Sequence, residues 1–150
     1  MQSTIEFVAI AMYAAVGLVS LAMARKCLTA NRPLAFHQAA TGVPLEQLAD
    51  GTRQVMSALT RTTGLGFLVV GLLLLVFPAS GEFAGSAAAN PVVRSGLPVL
   101  CAGYCAGLAA VNHRLHRQSG VATPWQGSLA AAGVVIIAVA LDAVSQFVLR

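Results

Sequence analysis

The sequence predicts an all-α membrane protein: an antiparallel four-helix transmembrane bundle with a cytoplasmic amphipathic helix before the second span. Hydrophobic residues make up 57% of the chain and charged residues 9%, against about 25% charged in soluble domains. The remaining evidence is four long apolar runs and the clustering of basic residues between them. A chain so poor in charge cannot cover a globular surface with polar groups, so its outside must face lipid.

The four apolar runs cover residues 7–24, 62–80, 95–111 and 127–149, and Asp142 is their one charged side chain. A helix rises ~1.5 Å per residue and the hydrocarbon core is ~30 Å thick. Each run is therefore long enough to cross the membrane if the residues at its ends lie in the interfacial region. Because backbone groups cannot stay unpaired in lipid, the runs are helices. The spans form a single domain over residues 1–150.

Basic residues predict how the bundle sits in the membrane. Only Arg94 and Arg150 fall on one side. The other side carries the remaining seven: Arg25, Lys26, Arg32, Arg53, Arg61, Arg114 and Arg117. By the positive-inside rule, both termini lie outside. The alanine-rich composition favours a bacterial inner membrane. The net charge is +4, but the basic residues form no continuous stripe, so no nucleic-acid partner is expected.

The long loop after the first span contains the amphipathic segment. A break at residues 42–44 precedes it, and Pro44 suits the first turn of a helix. Apolar side chains then recur at helical spacing at Leu45, Leu48, Val55, Met56 and Leu59. We interpret this segment as a juxtamembrane helix running into the second span. The alternative is an element that docks a partner or gates a substrate.

Small residues predict how the helices pack. The third span contains a GxxxG pattern at Gly103 and Gly107, and the second span contains Gly64 and Gly71. Small residues let helix backbones approach closely in lipid. We expect these residues to form the seam within the bundle, and homodimerisation is the alternative use of the GxxxG pattern.

Asp142 is the most informative side chain, because a carboxylate at membrane depth must be protonated, paired or turned toward water. Glu6 and Arg94 lie at the same end of the bundle, and Gln146 follows Asp142 by one helical turn. One interpretation is a proton- or cation-linked site formed by Glu6, Arg94, Asp142 and Gln146. The other is a structural ion pair between Arg94 and Asp142.

Three histidines, His37, His113 and His116, lie on the basic side of the membrane and are weak candidates for a metal site. Without a Cys, Asp or Glu at ligand spacing, we interpret them as interfacial polar anchors and assign no metal. No nucleotide loop, nucleophile elbow or HExxH motif is present. The sequence therefore predicts no cofactor and no catalytic residue, and it favours a protein that is not an enzyme.

Four segments of the chain share a pattern with a known group of proteins. They are residues 35–42 (AFHQAATG), 59–61, 64–71, and Thr123, Pro124 and Trp125 before the last span. These segments resemble small uncharacterised bacterial four-span integral membrane proteins. The resemblance covers about half of the chain and implies the four-span fold, but it implies no known reaction.

Three functions follow as hypotheses, and the least favoured is a membrane enzyme that would depend on His37 and the other histidines of the basic side. The first is a non-enzymatic accessory or assembly subunit of the inner membrane, which contacts the lipid bilayer and associates with itself or with a larger membrane complex. The alternative is a small proton- or cation-linked transporter that uses Asp142 and Glu6.

Overall fold

The computed structural model describes residues 2–32, 34–79 and 91–148. These residues form five α-helices: α1 (Gln2–Leu28), α2 (Ala35–Thr41), α3 (Asp50–Val76), α4 (Pro91–Ser119) and α5 (Trp125–Val148). Short 3₁₀ turns cover Leu45–Gln47 and Phe77–Ala79. No strand occurs in these three ranges. The predicted all-α class is confirmed.

Four of these helices, α1, α3, α4 and α5, are long and apolar enough to cross a membrane. They contain 24 to 29 residues, which exceeds the ~20 residues that a span needs. Large apolar side chains such as Leu18, Leu100 and Ile137 are exposed on their outer faces. Because water would disfavour such a surface, the structure is that of a multi-pass membrane protein.

The loop between α1 and α3 differs in detail from the prediction. The amphipathic segment is divided into the turn at Leu45–Gln47 and the first turns of α3, which continues into the second span without a break. Ala49 has an extended backbone (φ −55°, ψ 143°), which separates the two. The sequence analysis did not predict α2, which ends at Gly42 in the left-handed conformation (φ 65°).

The four long helices are antiparallel to their packing neighbours and do not contact one another equally. α1 packs against both α3 and α5, and α5 packs against α4, whereas α3 and α4 touch only slightly. Tyr13, Leu74 and Val135 lie at the centre of the apolar core. We call the end with the start of α1 and the end of α5 the termini end, and the opposite end the α2 end.

Tyr104 of α4 is the main link to α3. Its hydroxyl donates a hydrogen bond to the backbone oxygen of Thr63, 3.1 Å away, and its ring meets Phe67 edge-on at 5.9 Å between centroids. The ring crosses Gly66, where an added Cβ would overlap the tyrosine oxygen. A side chain at position 66 would therefore break this link.

Glycines form the close seam between α1 and α3. A Cβ at Gly71 would lie 3.0 Å from the backbone oxygen of Gly17, and one at Gly64 would lie 2.9 Å from Cβ of Cys27. The predicted role of Gly64 and Gly71 in packing is confirmed, and Gly17 joins them.

The predicted role of Gly103 and Gly107 within the bundle is wrong. Both glycines are exposed, and a Cβ added at either would meet no atom within 4 Å. The reason is the rotation of α4, which turns Ala102, Cys105 and Ala109 into the core instead. Homodimerisation through the glycine face stays a prediction.

Candidate functional site

The termini end contains a buried ion pair between Arg94 of α4 and Asp142 of α5. The guanidinium donates from Nε to Oδ2 at 2.8 Å and from Nη2 to Oδ1 at 2.6 Å. Both side chains are only 5% exposed. Two parallel charge-assisted hydrogen bonds fix the relative orientation of the two groups, which makes this the strongest polar link between α4 and α5.

Polar groups of α5 complete the surroundings of the pair. Because a guanidinium carries donors only, the Gln146 carboxamide is assigned with its oxygen toward Arg94, where it accepts from Nη2 at 2.9 Å. The hydroxyl of Ser145 donates to the backbone oxygen of Asp142 at 2.7 Å. The pair therefore lies in a hydrogen-bonded network.

Tyr13 of α1 belongs to the same cluster, and the sequence analysis missed it. Its side chain is 1% exposed and interacts electrostatically with Asp142 and Arg94. A signal existed, because Tyr13 follows Glu6 by seven residues, or two helical turns, and so shares its face of α1. The cluster thus joins three of the four spans.

Glu6 lies at the same end but takes a smaller part. Its side chain is only partly buried, and it attracts Arg94 electrostatically, whereas Asp142 interacts with Arg94 through direct hydrogen bonds. Of the four predicted residues, the structure therefore brings Arg94, Asp142 and Gln146 into contact and leaves Glu6 at the edge of the cluster.

The chemistry available to this cluster is restricted. Taking either charge out of water alone would cost several kcal/mol, and the two charges compensate each other only while they remain in contact. Both carboxylate oxygens of Asp142 accept hydrogen bonds from Arg94. The arrangement therefore favours holding α4 against α5 over the uptake and release of a cation.

His113 and His116 lie close together, with ring centroids 6.4 Å apart, whereas His37 lies in α2. His116 Nδ1 lies 2.8 Å from the backbone oxygen of Val121, and His113 meets the ring of Trp125 at 4.8 Å between centroids. His37 lies in α2 beside Phe36, with ring centroids 4.1 Å apart. Within residues 2–32, 34–79 and 91–148, no group of three or more potential metal ligands is assembled.

Burial lowers the pKa of His37 below its ordinary value, because the low-dielectric surroundings disfavour the charged imidazolium. His37 is thus mainly neutral at physiological pH. Its neighbours in α2 supply no charge, since the segment AFHQAAT contains no other ionisable residue.

No family model matches the chain, and comparisons with curated proteins and with solved structures find no match.

Proposed function

We propose that the protein is a non-enzymatic accessory or assembly subunit of a bacterial inner membrane, with both termini outside. The observation that carries this proposal is the buried, bidentate Arg94–Asp142 pair. In this pair the acidic side chain that lies deepest in the bundle holds two helices together, which is a structural role.

The transporter alternative needs a carboxylate that exchanges its partner during a transport cycle. Asp142 has both oxygens engaged by a guanidinium that does not deprotonate in proteins. Glu6 is only partly buried and lies at the edge of the cluster at the termini end. These observations favour the accessory function over proton- or cation-linked transport.

The open face of α4 supports association with another helix. Gly103 and Gly107 are one turn apart and exposed, and Leu100 beside them is 75% exposed. Glycines on a lipid-facing surface allow a second helix to approach closely, which is the main source of helix association in lipid. This favours a homo-oligomer or a larger membrane complex.

The basic residues support the proposed sidedness. Arg25, Lys26, Arg114 and Arg117 lie at the α2 end in the structure, whereas Arg94 lies at the termini end and Arg150 falls outside the described residues. In a bacterial inner membrane this bias directs the α2 end to the cytoplasm.

Cysteine cross-linking in native membranes tests the assembly function. The native cysteines, Cys27, Cys101 and Cys105, are buried and free and are first replaced by alanine. Gly103→Cys is expected to give a cross-linked species, because its face accepts a neighbouring helix. Leu18→Cys, exposed on α1, is the matched control. Equal cross-linking at the two positions, or none at position 103, contradicts assembly through this face.

Reconstitution into liposomes tests the alternative function. The accessory function predicts no pH-driven or cation-driven flux from the folded protein. Flux that Asp142→Asn or Glu6→Gln abolishes would establish the transporter instead. Folding of each variant is checked by helical circular dichroism before flux is measured.

A further inference from the structure

A cavity of about 270 Å³ lies inside the α2 half of the bundle. It is bounded by α1, α3, α4 and α5, and α2 covers its end through Phe36 and His37. It coincides with the weakly packed gap between α3 and α4. For comparison, an engineered cavity of about 150 Å³ binds benzene, so this space suits a chain of roughly ten carbon atoms.

The polarity of the cavity changes along its length. The deep part, nearer the middle of the membrane, is lined mainly by apolar groups such as Phe67 and Ala131, with Ser20 as a polar exception. The part near α2 is lined by His37, Asn112 and Ser128. An apolar interior with a few polar groups at one end is typical of sites for small amphiphilic ligands.

Three polar side chains lie at the α2 end of the cavity wall. His37, Asn112 and Ser128 are partly exposed and line the cavity, whereas the hydroxyls of Thr60 and Thr63 donate to their own helix. In a membrane protein an unpaired polar group is costly unless water or a ligand satisfies it. Three polar groups at one end of a cavity indicate where a polar headgroup would lie.

The lining also selects the charge of the ligand. Among the residues that the structure describes, the cavity wall contains no Asp, Glu, Lys or Arg, and burial keeps His37 mainly neutral. A charged headgroup would therefore lose its hydration without gaining an ionic partner. Anions, cations and phosphate-bearing lipids are disfavoured.

We propose that this cavity binds an uncharged amphiphile, with its hydrocarbon chain between α3 and α4 and a hydroxyl or carbonyl headgroup beside His37, Asn112 and Ser128. This inference goes beyond the accessory function, because an assembly subunit needs no ligand.

Photo-cross-linking with a diazirine analogue of 1-decanol tests the proposal. The reconstituted protein is irradiated, and labelled residues are identified by mass spectrometry. Label is expected on the cavity-facing segments 60–67 of α3 and 105–112 of α4. Excess 1-decanol should compete, and decanoate at pH 8 should compete about tenfold less well, which corresponds to about 1.4 kcal/mol.

Space-filling variants make the test specific. Ala131→Phe occupies the cavity and should reduce labelling about tenfold, whereas Ala130→Phe, on the exposed side of α5, should leave it unchanged. A second pair is Gly127→Leu, which lines the cavity, and Gly133→Leu, which does not. Neither glycine has an atom within 4 Å of an added Cβ, so both variants are expected to fold.

Three results would overturn the proposal. Labelling confined to lipid-facing residues such as Leu100 would place the probe in the bilayer. Equal competition by decane and 1-decanol would remove the role of the headgroup. Undiminished labelling in folded Ala131→Phe and Gly127→Leu would mean that the probe does not occupy the cavity. None of these results depends on the cross-linking at position 103.

Discussion

The two ends of the bundle handle polar side chains in opposite ways. At the termini end, Arg94 and Asp142 are charged, buried and engaged with each other. At the α2 end, His37, Asn112 and Ser128 are uncharged and border a cavity. The charged side chains at the termini end bind each other, whereas the neutral side chains at the α2 end border open space.

If the cavity binds a ligand as proposed, neutral polar groups and not buried charges mark the ligand site of this bundle. The energetic cost of an ion in lipid drives it to find a partner within the chain, after which nothing remains for a ligand. A neutral polar group that lacks some of its hydrogen bonds costs less free energy than an unpaired charge. It can therefore remain available to bind a ligand. The largest effects on stability are therefore expected at the termini end, and the effects on binding at the α2 end.

The largest effect is expected from Asp142→Asn, which leaves the Arg94 guanidinium buried without its counter-charge. Removing one partner of a buried pair costs about 3–5 kcal/mol in the free energy of unfolding. Unfolding by sodium dodecyl sulfate in mixed micelles, followed by circular dichroism, measures it. Asp50→Asn is the matched control, because Asp50 pairs with Arg53 on an exposed surface, where such pairs contribute about 0–1 kcal/mol.

The double variant Arg94→Met with Asp142→Leu sharpens this result. With both charges removed, most of the lost stability should return, since an apolar pair needs no compensation. If the double variant is as unstable as Asp142→Asn, the cost comes from packing and not from the unpaired charge.

A smaller effect is expected at the α1–α3 seam. Gly71→Ala places a methyl group 3.0 Å from the backbone oxygen of Gly17, and such overpacking typically costs about 1–3 kcal/mol. Gly103→Ala on the open face of α4 should change the unfolding free energy by less than about 0.5 kcal/mol. The same detergent titration compares them, and equal effects would mean that Gly103 is also tightly packed.

The hydrogen bond of Tyr104 between α3 and α4 should contribute less to the free energy of unfolding than the glycine seam. Tyr104→Phe removes the hydrogen bond to Thr63 but keeps the ring against Phe67. Such bonds in membrane proteins average about 0.6 kcal/mol. Phe67→Leu, which retains the hydrogen bond, is the comparison. A loss of several kcal/mol for Tyr104→Phe would show that this bond, and not α1 and α5, holds the two helices in place.

The smallest effect is a local dependence on pH at α2. Because burial lowers the pKa of His37, the detached segment binds a proton more readily than the docked one. Docking is therefore favoured above about pH 6.5, the ordinary histidine value, and weakens as the pH falls toward the lower folded value. Amide hydrogen exchange over residues 35–41, corrected for intrinsic rates, measures this at pH 7.5 and 5. His37→Gln should abolish the change.

The sequence predicted the four spans because lipid allows few alternatives for long apolar runs. It also identified Arg94 and Asp142, since a charge in such a run is conspicuous. It did not predict which face of α4 turns inward, and so misplaced Gly103 and Gly107. When the surroundings are as apolar as the core, hydrophobicity does not distinguish the two faces. The cavity depends on that same rotation and on α2, and neither has a clear sequence pattern.

The ion pair also has a consequence for biogenesis. Arg94 is synthesised 48 residues before Asp142, and the candidate span that contains it has the lowest mean hydropathy of the four, at 1.3. A guanidinium that enters the bilayer without its carboxylate carries an insertion cost of a few kcal/mol. α4 therefore integrates most readily together with α5, as a helical hairpin whose second arm brings the neutralising charge.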